Sequence, residues 1–291
     1  MNLKKVIENG EFVQAPGVYD ALTARIAEAN GFNAVYMTGY GTSASHFAYP
    51  DIGLLTMTEM VENACRIAAA VQIPLIADAD TGYGNPINVV RTVREYEKAG
   101  AAAIHIEDQA WPKRCGHMAE KKVIDASEMI GKIKAAVDTR RDENFLIIAR
   151  TDALATHGFE HAVERGQMYA EAGADILFIE APVSREQVEK IPQLLTSKPL
   201  LLNLAPRTPN FSMQELKDMG YAIAIYPGVC LTGAITGCIE ELRRLKETGK
   251  QRNFEDFFQS FIEMNNFLGL QSYTDLERKY KSDGEGSDKA S

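Results

Sequence analysis

Positive charge is in short supply in this sequence: 31 lysines and arginines face 40 aspartates and glutamates, a net charge of −9. An acidic chain with no basic block lacks the electrostatic footprint that nucleic acid or an anionic membrane surface demands. Cysteine is scarcer still. Cys65, Cys115, Cys230 and Cys238 contain no C-x-x-C pair, so they read as reduced thiols of a cytoplasmic protein rather than as a disulfide framework. The first residues, MNLKKVIENGEF, hold no apolar run long enough for a signal or membrane-spanning segment. What the chain does have is apolar content, 45% over 291 residues. That supports a large core, and single α/β barrels commonly have this length.

Eight short apolar runs recur, near 12–18, 34–39, 74–80, 102–108, 145–151, 174–181, 199–205 and 221–228. Several are almost continuously apolar, as parallel strands buried on both faces should be. Helical patterns separate them, clearest over 19–30, 58–71, 86–99, 126–139 and 160–172. Pro86 suits a first helical turn, where its missing N–H costs nothing. A local plan repeats around Gly31, Gly100, Gly173 and Gly220: a helix ends, a glycine caps it, and an apolar strand begins. Eight strands alternating with helices predict a (β/α)8 barrel of the TIM type. An open doubly wound sheet is the alternative, since strand count alone does not separate the two.

Two more helical stretches follow, about 254–268 and 273–280. Phe254, Phe257, Phe258, Phe261, Ile262 and Phe267 form an aromatic stripe at helical spacing. Such surface either caps the chain's own barrel or packs on a neighbouring subunit. One domain over 1–280 is expected, including C-terminal helices at about 253–280. Residues 281–291, polar and rich in glycine and serine, read as a disordered tail.

Barrel active sites lie at the C-terminal ends of the strands. Those ends read Thr38-Gly39, Asp78 with Asp80, Glu107-Asp108, Arg150 with Asp152, Glu180, Asn203 and Tyr226. Carboxylates outnumber cations among them, which calls for a compensating positive charge. An oxygen-only ligand set suits Mg2+, with Mn2+ the alternative. Alternation along a strand would put Asp78 and Asp80 on one face; a solvated turn is the blander account of an isolated D-x-D. After the fourth run comes Pro112-Lys113-Arg114-Cys115-Gly116-His117. Cations beside a thiol favour thiolate, so Cys115 is expected to be more acidic than a free cysteine. The other three cysteines are expected in core or helix positions.

The segments Ile76–Gly84 (IADADTGYG), His105–Gln109 (HIEDQ) and Lys113–His117 (KRCGH), with Ala15–Ala21 and Tyr49-Pro50-Asp51, resemble the isocitrate lyase/phosphoenolpyruvate mutase superfamily over essentially the whole chain. The resemblance implies an α/β barrel whose C-terminal helix is exchanged between subunits of a homotetramer. It implies Asp78 as direct Mg2+ ligand, with Asp80, Glu107 and Asp51 holding the metal directly or through water. Thr38, Gly39 and Tyr40 fall where backbone amides bind a substrate carboxylate, although Tyr40 departs from the common Ser-Gly-Gly form. Tyr36 matches a tyrosine that handles the substrate hydroxyl. Arg150, Glu180 and Asn203 match substrate-binding positions, and Cys115 lies on a gating loop with Gly116 and His117 beside it.

Within that family the Lys-Arg-Cys-Gly-His loop marks the carbon–carbon lyases. Cleaving C2–C3 of a 2-hydroxy acid leaves an enolate-like carboxylate that needs a proton, and Cys115 is the expected donor. Relatives that cleave tricarboxylates carry extra arginines for the third carboxylate. Here Thr232 and Phe267 stand at the matching positions, both neutral. This disfavours isocitrate and methylisocitrate and favours a 2-hydroxy dicarboxylate with an apolar substituent, as in dimethylmalate-type lyases. Arg207 is the nearby residue able to replace the lost charge. The alternatives are a 2-methylisocitrate lyase, an oxaloacetate hydrolase or decarboxylase on the same scaffold, and a non-catalytic tetrameric binding protein.

Overall fold

The computed structural model describes residues 2–118, 120–250 and 261–281. They divide into two compact units, 1–234 and 235–291. The first unit holds eight strands: β1 (Val13–Val18), β2 (Val35–Met37), β3 (Leu75–Asp78), β4 (Ala103–Glu107), β5 (Leu146–Thr151), β6 (Ile176–Ile179), β7 (Leu200–Asn203) and β8 (Ile223–Tyr226). Each pairs in parallel with the next in sequence, and β1 pairs with β8 to close a barrel. Val13 stands opposite Ile223 and Pro16 opposite Tyr226. That closing pair rules out the open-sheet alternative.

Alternation along each strand divides the apolar residues between two cores. Inward-facing Ala15, Tyr36, Ile76, Ala103, Ile148, Phe178, Leu201 and Ile225 form the barrel interior, joined by Leu3 and Val6 from the helix Leu3–Glu8. Ile104, Ile106, Ile147, Leu177 and Leu202 face outward and meet helix residues such as Met60, Val89, Ile133 and Val188. The surrounding helices include Ala21–Ala29, Met57–Ala70, Pro86–Lys98, Ala126–Thr139 and Phe159–Glu171, close to the expected bounds. Pro86 does open its helix, behind an Asn85 side chain that accepts hydrogen bonds from the Ile87 and Asn88 amides. The four glycines of the repeated plan all have φ between 81° and 105°, the left-handed geometry that ends a helix.

Strand ends differ from the sequence reading. The third run stops at Asp78 instead of reaching 80, because Asp80 turns into the left-handed region at φ 48°. The sixth stops at Ile179, and Ala181 bends at φ 57°. Backbone that leaves the ladder here serves the site above the barrel.

The second unit holds most of the helix Val229–Thr248 and the helices Phe261–Phe267 and Leu270–Tyr280. Phe254, Phe257 and Phe258 of the expected stripe lie outside the described residues, as do residues 282–291 of the expected tail. Phe261 and Ile262 are 83% and 71% exposed. Among the described residues, no helix is long and apolar enough to cross a membrane.

Ile104 carries the two-layer packing, fully buried between β4 and its helices. Ile104→Ala should cost about 2–5 kcal/mol, read as a lower unfolding midpoint in calorimetry. An unchanged midpoint would mean the outer layer is not packed as described.

Candidate active site

The strand ends bring a carboxylate cluster together above the barrel. Lys113 points its ammonium between two of its members, 2.5 Å from Asp51 Oδ1 and 2.6 Å from Asp80 Oδ1. The lysine is only 4% exposed, and these anions hold its charge firmly even though burial works against it. Burial alone would raise the Asp78 carboxyl, but neighbouring Lys113, Arg150 and the Asp80 amide outweigh it and leave Asp78 below the ordinary range. Asp80 is pushed the other way, to about 7, by burial and by repulsion from Asp78 and Asp51. Asp78 and Asp80 therefore do not share a strand face as alternation suggested. They converge because the chain turns back at Asp80, whose amide donates to Asp78 Oδ1 at 2.9 Å.

Arg150 is the strand-borne cation. Its Nε donates to Asp152 Oδ2 at 2.9 Å, and it lies 3.2 Å from Glu107 Oε2 and 3.5 Å from Glu180 Oε2. Burial is the largest influence on Glu180, yet Arg150 and His117 overcome it and hold this carboxyl near 2. Glu107 loses that contest: burial, with Asp152 and Asp78 nearby, pushes it well above the carboxylate range. Asn203 Nδ2 donates to Glu180 Oε1 at 3.1 Å, and the Asn203 Oδ1 is buried without a hydrogen-bond partner.

Beneath Asp78 lies a buried pair. The Tyr36 hydroxyl stands 2.8 Å from His105 Nε2 and 3.4 Å from Asp78 Oδ2. The two rings stack, with centroids 5.7 Å apart. Burial lowers His105 to about 4, so it is neutral at pH 7, and burial with Asp78 raises Tyr36 well above 10. Gly39 donates its amide to Asp78 Oδ2 at 3.2 Å, and a Cβ at Gly39 would lie 2.4 Å from that oxygen. Only glycine lets the backbone approach the carboxylate so closely. The Gly39 amide is thus engaged by Asp78, whereas Thr38 and Tyr40 line the cavity.

Cys115, Gly116 and His117 border the same cavity. The Cys115 amide donates to the Asp51 carbonyl at 3.0 Å. His117 Nε2 lies 3.0 Å from Glu180 Oε1, and its Nδ1 accepts from the Arg207 amide at 3.4 Å. The expected acidity of Cys115 is overturned. Burial pushes the thiol up from its ordinary 9.0. The flanking cations do not help it: Lys113 is spent on Asp51 and Asp80, and Arg114 reaches out to Glu120 at 3.4 Å. Cys65 and Cys238 lie on helices but are exposed, not in the core.

The cavity has a volume of about 450 Å3. Tyr36, Asp78, Asp51, Arg150, Glu180 and Asn203 supply its polar lining. Lys113, Arg114, Thr38 and Tyr40 line it too, and Ala205, Pro206, Arg207, Pro227, Leu231 and Thr232 supply a less polar stretch in which Arg207 is the charged member. Asp80 and Glu107 sit behind this lining instead of on it. Phe267 belongs to the second unit.

A family model described as phosphoenolpyruvate phosphomutase matches residues 3–246. The chain belongs to the phosphoenolpyruvate mutase/isocitrate lyase superfamily. It is 47% identical over 280 residues to 2,3-dimethylmalate lyase of Eubacterium barkeri, covering 96% of each chain. To 2-methylisocitrate lyase of Aeropyrum pernix it is 42% identical, over 99% of this chain and 91% of that one. Among solved structures, a 2,3-dimethylmalate lyase superposes with a TM-score of 0.91 at 40% identity, covering 99% and 97%. An oxaloacetate acetylhydrolase with 3,3-difluorooxalacetate bound also gives 0.91, at 38% identity over 96% and 95%. The superfamily members similar to this chain thus include lyases and a hydrolase.

The superfamily's metal position can be tested against these residues. The donors are hard oxygens, and Glu107 Oε1 is buried without a hydrogen-bond partner, which fits a dication bound partly through water. Among the described residues, no three His, Cys, Asp or Glu side chains are grouped as a metal cage; Lys113 sits between two of the carboxylates instead. Sequence reasoning missed what Lys113, Lys121, Asp152 and His105 do. His105 was findable, because alternation from Ala103 to Glu107 points it into the barrel.

With its thiol raised, Cys115 should alkylate slowly at neutral pH, and the rate should still be climbing at pH 9 in an iodoacetamide profile. A plateau below pH 8 would show a low-pKa thiolate and overturn the burial account.

Proposed function

We propose that this chain is a Mg2+-dependent carbon–carbon lyase that cleaves a 2-hydroxy dicarboxylate of the 2,3-dimethylmalate type to pyruvate and a short carboxylic acid. The observation that carries this reading is the cavity itself. Cys115, Tyr36, Tyr40 and Arg150 line the cavity with Asp51, Asp78, Lys113, Arg114 and Glu180, and Ala205, Pro206, Pro227, Leu231 and Thr232 add uncharged lining beside Arg207. The 47% identity to 2,3-dimethylmalate lyase points the same way.

Asp78 would hold the metal, with Asp51, Asp80 and Glu107 around it. When bound, Mg2+ would polarise the oxygens of the keto-acid end. Arg150 and Asn203 orient the substrate's carboxylate and hydroxyl. As C2–C3 breaks, the hydroxyl proton would pass to the Tyr36 oxygen while the Tyr36 proton moves on to His105 Nε2, 2.8 Å away, and the C2–O bond becomes the pyruvate carbonyl. The electron pair of the broken bond moves onto C3, and Cys115 delivers a proton there. His117, paired with Glu180, fixes the turn that presents the thiol.

Thr232 supplies no charge for a third carboxylate, and an unpaired buried charge is costly. Methylisocitrate should therefore be worse than 2,3-dimethylmalate by at least about a hundredfold in kcat/KM, roughly 2.7 kcal/mol. Cys115→Ser should lose about 10²–10⁴ in kcat, and a chelator should abolish turnover until Mg2+ or Mn2+ is restored. Pyruvate release with each substrate checks this. Preference for methylisocitrate, abolished in Arg207→Ala, would move the assignment to that lyase. Acetate and oxalate from oxaloacetate alone would move it to a hydrolase.

We also propose a homotetramer with exchanged C-terminal helices. Ile235, Ile239, Leu242 and Leu245 recur along the exposed side of Val229–Thr248, and Phe261, Ile262 and Tyr273 are exposed further on. Apolar surface on this scale suits a subunit contact. Truncation after Lys250 should expose it and cause aggregation in light scattering; a soluble, active monomer would contradict the exchange.

A further inference from the structure

Lys121 is a buried lysine to which the chemistry above gives no part. Its ammonium donates to the Gly116 carbonyl oxygen and to Asp152 Oδ1, the latter at 2.6 Å. The side chain is 2% exposed and that of Asp152 fully buried. Asp152 gives its other oxygen, Oδ2, to Arg150 Nε at 2.9 Å. Its backbone amide is fixed in turn by Asp108 Oδ1 at 2.9 Å, and Asp108 is held by Thr151, Tyr169 and Arg165. Asp152 is therefore a rigid reference point shared by the two cations: Oδ1 accepts from Lys121 and, at 3.3 Å, from Arg150, and Oδ2 accepts from Arg150.

Gly116 closes the circuit from the other side. A Cβ there would come within 2.5 Å of an Arg150 nitrogen and 2.7 Å of the Glu180 carboxyl. The peptide next to Cys115 thus rests directly on the Arg150–Glu180 pair. An ammonium is costly to bury unless it is paired and its protons are used. This one spends its protons on a carboxylate and on one particular carbonyl, that of Gly116, the residue after the thiol.

We propose that Lys121 is a positioning residue: through Asp152 it sets the Gly116-His117 peptide, and with it the adjoining Cys115, in register with the Arg150 guanidinium, so that proton donor and substrate-orienting cation are aligned to one carboxylate. Arg150 keeps Glu107 and Glu180 as further partners, so loss of Lys121 should leave substrate binding largely intact. The thiol depends more heavily on Lys121, since misplacing a reacting group by about 1 Å costs on the order of a hundredfold.

The kinetic arm of the test rests on the lyase reading; the alkylation arm needs no substrate. In the full chain, Lys121→Met should lower kcat by about ten- to a hundredfold while KM stays within about threefold. Without substrate, Cys115 should alkylate at least about fivefold faster, with half-buried Cys230 unchanged as internal reference. Lys121→Arg, which keeps the charge, should restore part of both. Normal Cys115 alkylation in a folded Lys121→Met protein would overturn the proposal, and so would Cys230 accelerating in step with Cys115, the mark of general loosening. If Lys121→Met does not fold, Asp152→Asn is read by the same alkylation, and an unchanged Cys115 rate there overturns the proposal equally. Turnover of no 2-hydroxy acid by the wild type would count against the lyase reading alone, leaving alkylation to decide the role of Lys121.

Discussion

Buried like charge is the constraint from which this site is built. Asp51, Asp78, Asp80, Glu107, Asp152 and Glu180 are all buried at one end of the barrel, and carboxylates in that setting need cations or protons. The barrel interior supplies one cation, Arg150 on β5. The others, Lys113 and Lys121, come from the connection between β4 and the helix Ala126–Thr139. Electrostatic need therefore draws that connection over the strand ends. Cys115, Gly116 and His117 lie between the two lysines and are carried into place with them. The same ion pairs that make the acid cluster tolerable position the chemistry above it.

Charge is also segregated by depth. Asp78 and Glu180 are held as anions by their cations, whereas burial favours a proton on Glu107 and raises Asp80. One layer below, Tyr36 and His105 are both neutral and hydrogen-bonded to each other. Two neutral polar rings can occupy an apolar interior that two more charges could not. They give the hydroxyl end of the cavity a path for a proton without adding to the charge that the cluster must balance.

The alternation of strands and helices was legible because parallel strands buried on both faces leave near-continuous apolar runs, whereas closure into a barrel rests on the pairing of β1 with β8. Polar or charged groups at the ends of most runs marked the site for the same reason: a polar group survives there only where the core stops. Side-chain direction beyond the strand ends was not legible. Reading Asp80 as a third strand residue assumed that alternation continued, and its φ of 48° ended it. Reading Cys115 as acidic assumed that neighbours in sequence are neighbours in space. Lys113 and Arg114 flank the thiol in the chain, yet one turns inward to Asp51 and Asp80 and the other outward to Glu120. Distant partners decided both, and no local pattern encodes them.

The failure of the acidity expectation strengthens the role it was meant to support. A nucleophilic cysteine needs thiolate at neutral pH; a proton donor needs the thiol. Burial first, and then Asp51 and Glu180, disfavour charge on Cys115, so it enters the reaction with its proton in place. In the proposed cleavage the acceptor would be the carbanion-like C3 left when C2–C3 breaks, a far stronger base than any thiolate, so donation would run downhill even from a raised thiol. His117 is placed instead against Glu180, its Nε2 3.0 Å from Oε1, with its Nδ1 accepting from the Arg207 amide. With Lys113 engaged by Asp51 and Asp80, the proposed donor at this edge of the cavity is the thiol, and burial keeps the proton it would give.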